Sequence, residues 1–236
     1  MRLIKTLYTF CLFATWLNSV SAQVTYQRIA NSADEPNNWL TYNGSYMSQR
    51  HSLLDQIDKT NIDNLELKWV LQNQVFGAWQ SNPIVVDGIM YITERPNSVM
   101  AVDALTGRVF WKFEHTPDER ARVCCGANNR GVAILNDKLY MGTLDARLIA
   151  LDRVNGKLLW NAEVGDVGLA YSVTMAPLAV KDKILVGVGG GELGIRGYVA
   201  AYDANTGREV WKTFTIPGPG EPNHDSWEGD DWKHGG

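Results

Sequence analysis

The chain is poor in the residues that make several function classes easy to read. Three cysteines in 236 residues are too few for a disulfide scaffold. The four histidines, His51, His115, His224 and His234, share no metal-binding spacing. Basic charge is not in excess: 22 Lys and Arg stand against 26 Asp and Glu, which leaves no electropositive footprint for nucleic acid. No Ser-His-Asp or Cys-His arrangement carries a local signature. Helical periodicity is nearly missing, with one weak stretch near 117–122. After residue 22 no apolar run is long enough to span a bilayer.

Residues 1–22 read as a secretory signal peptide. Arg2 and Lys5 precede a largely apolar run from Leu7 to Leu17, and Val20-Ser21-Ala22 supplies small residues before a cut at Gln23. Cleavage would take Cys11 away and shift the formal charge from −4 to −6. The mature chain is then expected outside the cytoplasm, in a compartment that favours disulfides.

What the chain has in quantity is tryptophan, and three of the nine close copies of one pattern. Ala101, Asp103, Gly107 and Trp111 recur as Ala150, Asp152, Gly156 and Trp160, then as Ala201, Asp203, Gly207 and Trp211. The aspartates are 49 and 51 residues apart, a period that points to a propeller or solenoid. Each copy reads as a hairpin whose turn is made by Asp and Gly, ending in a large flat ring suited to fill the gap between sheets. A second set of hairpins keeps step, at Pro83–Thr93, Val132–Thr143 and Pro177–Val188. Two hairpins per period make one four-stranded antiparallel blade.

The remaining segments follow from that frame. Residues 23–58 read as an irregular stretch before the repeats, and 59–236 as three to four propeller blades. Leu65, Leu67 and Trp69 alternate as in a half-buried strand, and Trp69, 42 residues before Trp111, suggests an earlier partial copy. After about residue 214 the chain turns into a loop rich in Pro and Gly. Three full repeats and a partial one predict the front part of a longer protein.

Four features invite chemistry. Cys124 and Cys125 are adjacent; they are either two reduced structural thiols or a disulfide closing an eight-membered ring with an unusual peptide geometry. Gly189, Gly191 and Gly194 form a G-x-G-x-x-G after an apolar strand, but a strand rather than a helix follows, so a dinucleotide fold is rejected. Glycines there let a flat ligand approach the backbone, and Glu192 within the run is either solvated or a ligand for a hard, oxygen-seeking cation. Arg130 can fork onto a carboxylate or lie on the surface, and Thr174 precedes Ala176-Pro177.

Taken together, these residues resemble a known family. The Trp-bearing repeats, Cys124-Cys125 with Asn129-Arg130-Gly131, Thr174-x-Ala176-Pro177 and Gly190-Gly191-Glu192-Leu193-Gly194-x-Arg196-Gly197 look like the quinoprotein alcohol dehydrogenases. Those are periplasmic enzymes of the methanol and ethanol dehydrogenase type that use pyrroloquinoline quinone. The likeness runs from about Trp39 onward. It implies an all-β, eight-bladed propeller of which this chain is the front portion. By the same likeness Cys124 and Cys125 form a disulfide over one face of the quinone. Arg130 and Thr174 bind its polar edge, and Gly189, Gly190 and Gly191 line it. Glu192 is then a ligand of the calcium or lanthanide ion that polarises the quinone.

Gln80 falls where many relatives carry a Glu that touches the cofactor. Gly189 replaces a Ser common in methanol dehydrogenases, which weakens any claim to that substrate. The resemblance places the catalytic Asp, a metal-binding Asn and the Trp of the pocket floor beyond Gly236, so the chain alone is expected to be inactive. It implies a small alcohol as substrate and a cytochrome c-type electron acceptor. The competing reading is a non-enzymatic propeller of the same repeat class, an interaction scaffold. Outer-membrane assembly lipoproteins of that class need a Cys where Gln23 stands.

Overall fold

The computed structural model describes residues 23–235. The signal-like stretch 1–22, with Cys11, lies outside them. Twelve strands form three antiparallel sheets, each a meander of four neighbours in chain order. The first holds β1 (Ile84–Val86), β2 (Ile89–Glu94), β3 (Ser98–Asp103) and β4 (Val109–Glu114). The second holds β5 (Val132–Leu135), β6 (Lys138–Gly142), β7 (Arg147–Asp152) and β8 (Leu158–Glu163). The third holds β9 (Leu178–Val180), β10 (Lys183–Gly187), β11 (Tyr198–Asp203) and β12 (Glu209–Phe214). These are the expected propeller blades.

Each fixed residue of the repeat has a separate physical task. Asp103 accepts backbone N–H groups of Leu105 and Thr106 at 2.9 and 3.3 Å, closing the β3–β4 turn, and Asp152 and Asp203 do the same in theirs. These bonds favour the ionised form, so the Asp103 and Asp203 carboxyls titrate below the usual range. Gly107, Gly156 and Gly207 follow at φ of +74°, +72° and +71°, a left-handed conformation that suits glycine. The fixed alanines stand opposite the tryptophans: Ala101 pairs with Trp111, Ala150 with Trp160 and Ala201 with Trp211. A register shift follows each alanine, adding local twist.

The tryptophans dock each sheet on the next. Trp111 packs on Gly156 and donates its indole N–H to Arg153 O at 3.2 Å; Trp160 packs on Gly207 and donates to Ala204 O at 3.3 Å. The same carbonyls accept the hydroxyls of Tyr91 and Tyr140, at 3.2 and 3.0 Å. Buried aliphatics of the inner strands, among them Ile84, Val86, Ile134, Leu139, Ile184 and Val186, make the core between the sheets.

Two expectations are corrected. Residues 65–69 form no strand; Leu65 and Leu67 are 61% and 81% exposed, because no strand among the described residues pairs with theirs. Alternation alone does not supply a hydrogen-bonding partner. Trp69 nevertheless docks as an earlier copy would, on Gly107 with its N–H on Ala104 O at 3.2 Å. The stretch 117–122 is turn and extended chain, not helix.

The irregular stretch before the repeats contains a short helix, α1 (Tyr26–Ala30), capped by Thr25 through Arg28 N–H at 3.3 Å. It also staples two blades together. Val24 bridges to Asn136 and Trp39 to Val85, while Arg28 pairs with Glu35 and Asp87 at 2.6 and 3.0 Å. Among the described residues no helix is long and apolar enough to cross a membrane.

Candidate functional site

The loops that carry the blades from one to the next also bring the chemistry together. The first runs from β4 to β5 and holds the cysteines. Cys124 and Cys125 are bonded to each other, with their Cα atoms 3.8 Å apart, the spacing of a trans peptide. Asn128 donates its amide to Cys125 O at 2.9 Å and so braces the ring from below. Arg130 then turns toward the second crossover, between β8 and β9. Its backbone N–H reaches Thr174 O at 3.2 Å, and its guanidinium donates to Thr174 O and Oγ1 at 3.3 and 2.8 Å.

The third contribution is the glycine run between β10 and β11. Gly189 exchanges two backbone hydrogen bonds with Ser172, at 2.8 and 3.1 Å. Gly190 has φ of +120°, and a Cβ there would lie 2.4 Å from Ala170 O, so a side chain is excluded twice over. Gly191–Leu193 is one turn of 3-10 helix that lifts Glu192 into the exposed mouth. Arg196 locks that turn against the following loop. It stacks between Phe214 and Trp232, at 3.8 and 4.9 Å to the ring centroids, and donates to Ile216 O at 2.9 Å.

These elements enclose a cleft of about 160 Å³. Cys124, Cys125 and Arg130 line it from the first crossover, Thr174 from the second, and Gly189, Gly190 and Glu192 from the glycine run. Gly191 flanks the cleft without lining it, and Gln80 is exposed and is not among the residues that line it. Four lining residues carried no sequence signal of their own: Val123, Gly126, Asn128 and Ser172. Ser172 stands two residues before Thr174 on extended chain, so period-2 spacing puts both on one face; that was the available clue.

The cleft sets one guanidinium and one carboxylate among neutral groups. No carboxylate pairs with Arg130 among the described residues, although its guanidinium is half-buried. Asn128 Oδ1 is buried with no hydrogen-bond partner. Glu192 is the one carboxylate lining the cleft, and no group of three or more His, Cys, Asp or Glu is close enough to hold a metal among the described residues.

A sequence profile described as "Glucose/ethanol/alcohol dehydrogenase, beta-propeller domain", under the name PQQ, matches residues 39–236. The chain belongs to this PQQ β-propeller family. It is similar to the dehydrogenase subunit of a quinone-type alcohol dehydrogenase from Komagataeibacter europaeus, 41% identical over 90% of this chain and 30% of that one. It also resembles a lanthanide-dependent methanol dehydrogenase from Methylacidiphilum fumariolicum, 36% identical over 93% of this chain and 40% of the relative. In fold it matches a quinohemoprotein alcohol dehydrogenase from Pseudomonas putida HK5 with a TM-score of 0.86 at 38% identity, covering 92% of this chain and 34% of that one. The chain thus spans 30% to 40% of the length of these two curated family relatives.

Proposed function

We propose that this chain forms one wall of a pyrroloquinoline quinone site in an alcohol dehydrogenase of the periplasm. One observation carries the reading: seven residues singled out in the sequence converge on a single cleft. The donor set fits the group. The quinone is flat and carries carboxylates, and the cleft offers a half-buried guanidinium without a counter-ion, two hydroxyls and a glycine wall of bare backbone. In this reading Arg130 and Thr174 hold a carboxylate edge, the Cys124–Cys125 ring covers one face, and Gly189 to Gly191 allow close approach. Glu192 supplies one hard oxygen ligand to a calcium or lanthanide ion, which needs further oxygens from the quinone and from elsewhere in a longer protein.

When bound, the quinone supplies a two-electron acceptor for the hydride equivalent that leaves the alcohol carbon, whose hydroxyl proton goes to a base. Glu192, engaged on a cation, is not free for that proton, and the described residues present no other carboxylate to the cleft. The 236-residue chain alone is therefore expected to bind without turnover. In the whole enzyme a primary alcohol becomes an aldehyde, and the electrons pass to a cytochrome c-type acceptor.

The test is a titration of the purified, disulfide-bonded chain with pyrroloquinoline quinone, read by tryptophan fluorescence, with and without calcium or lanthanum. Saturable binding of one equivalent, strengthened by the cation and made insensitive to it by Glu192→Gln, supports the proposal. Absence of saturable binding under every condition sinks it.

A further inference from the structure

We propose that Asp145 is a positioning residue: it sets the place of the cysteine-bearing loop without touching the cleft. The consequence for quinone affinity rests on the reading above; the consequence for the loop itself does not.

The loop from His115 to Gly131 crosses between two blades in 17 residues with neither helix nor strand. A connection of that length needs external anchors to hold one shape. Both of its ends are gripped by the same tight turn between β6 and β7. At the entrance, His115 Nε2 lies 2.9 Å from Asp145 Oδ2, and the Asp118 N–H reaches the same oxygen at 3.2 Å. An ionised carboxylate only accepts, so the imidazole nitrogen is the donor. At the exit, Asn129 donates its amide to Gly142 O at 2.9 Å, where the turn begins.

The turn is itself well fixed. Thr143 donates its hydroxyl to Asp145 Oδ1 at 2.6 Å, and Leu144 N–H reaches Asn97 Oδ1 at 3.2 Å. Thr143 O accepts the N–H of Val173 at 2.8 Å, between Ser172 and Thr174 on the second crossover. One turn therefore holds the first and second crossovers relative to each other. Asp145 is 7% exposed and does not line the cleft. Asparagine there keeps one acceptor oxygen and puts an NH2 in place of the other, so the donors of His115, the Asp118 N–H and Thr143 cannot all be accepted in a crowded site, a loss the loop relieves by moving.

Two substitutions test this, Asp145→Asn and the milder His115→Gln, each in the full chain. The readouts are the rate at which a water-soluble phosphine reduces the Cys124–Cys125 bond, and backbone hydrogen exchange over 116–128 against β5 to β8. The expected result is reduction at least about tenfold faster, with protection lost in the loop and kept in the strands. If Asp145→Asn does not fold, His115→Gln carries the same expectation. Wild-type reduction rates in the folded variants overturn the proposal, and so does exchange that rises equally in loop and strands, which would mark Asp145 as part of general sheet stability. If the wild-type chain binds no quinone, the site reading fails while these two readouts still decide the role of Asp145.

Discussion

Arg130 reaches from one inter-blade crossover to the hydroxyl of Thr174 on the next, 2.8 Å away. The contact joins the two crossovers that line the cleft, and no carboxylate pairs with the guanidinium among the described residues.

That geometry separates two roles of one residue. Arg130→Lys keeps the charge but not the planar fork, and Arg130→Ala loses both. Quinone affinity is expected to fall by about tenfold in the first and about a hundredfold in the second, on the scale of one and two charge-assisted hydrogen bonds. Fluorescence titration measures both; equal losses would mean that the planar fork alone matters, and no loss in Arg130→Lys that only charge does.

The two neighbouring glycines should respond differently. Gly190→Ala places a methyl against Ala170 O in a left-handed backbone and is expected to abolish binding. At Gly189 a Cβ would come within 3.1 Å of Ser172 Oγ, a hydroxyl that can rotate away. Gly189→Ser is therefore expected to fold and to bind within about threefold of the parent, a change below ~1 kcal/mol. Circular dichroism and the same titration check the pair.

Much of this was legible because the repeat is built from local chemistry. Asp103, Gly107 and Trp111 encode a turn, a left-handed residue and a ring at fixed spacing, and these need no distant partner to be recognised. The cleft was legible where a residue type had one unusual use, as with adjacent cysteines or a glycine run. The strand over Leu65 and Leu67 failed because pairing is non-local: the alternation is there, and no strand among the described residues pairs with it. Helix α1 was missed because five residues are too few for a period to register. Ser172 and Asn128 went unnoticed because ordinary polar residues become part of a site only through what the fold sets beside them.

Docking of one blade on the next should dominate stability. Trp160→Ala removes a packed indole and its hydrogen bond to Ala204 O, and is expected to cost about 3 kcal/mol. Leu105→Ala, at a side chain 82% exposed, should change stability by less than about 0.5 kcal/mol. Urea unfolding of the full chain measures the difference.

Acid should act through Asp145. Burial alone would raise its carboxyl, but hydrogen bonds from His115, Thr143 and the Asp118 N–H outweigh it and hold the value at about 2, below the ordinary 3.8. A folded value below the unfolded one means that the stabilisation is present above the ordinary carboxylate range. It is lost as pH falls from about 4 toward 2. Arg120, Arg147, Glu163 and Asp166 share the crevice, with Asp118 beside them. The slope of urea midpoint against pH over that interval is expected to flatten in Asp145→Asn while the rest of the curve keeps its shape.

The lining of the cleft comes from two crossovers and one hairpin, so no single blade owns it. Trp111 and Trp160 seat the neighbouring sheets that present these loops. A hinge-like slackening of either seat would open the chamber while every hydrogen-bonded ladder stayed intact. Occupancy by a flat guest then works as a caliper on blade-to-blade alignment, and on warming it should let go before the strands themselves melt.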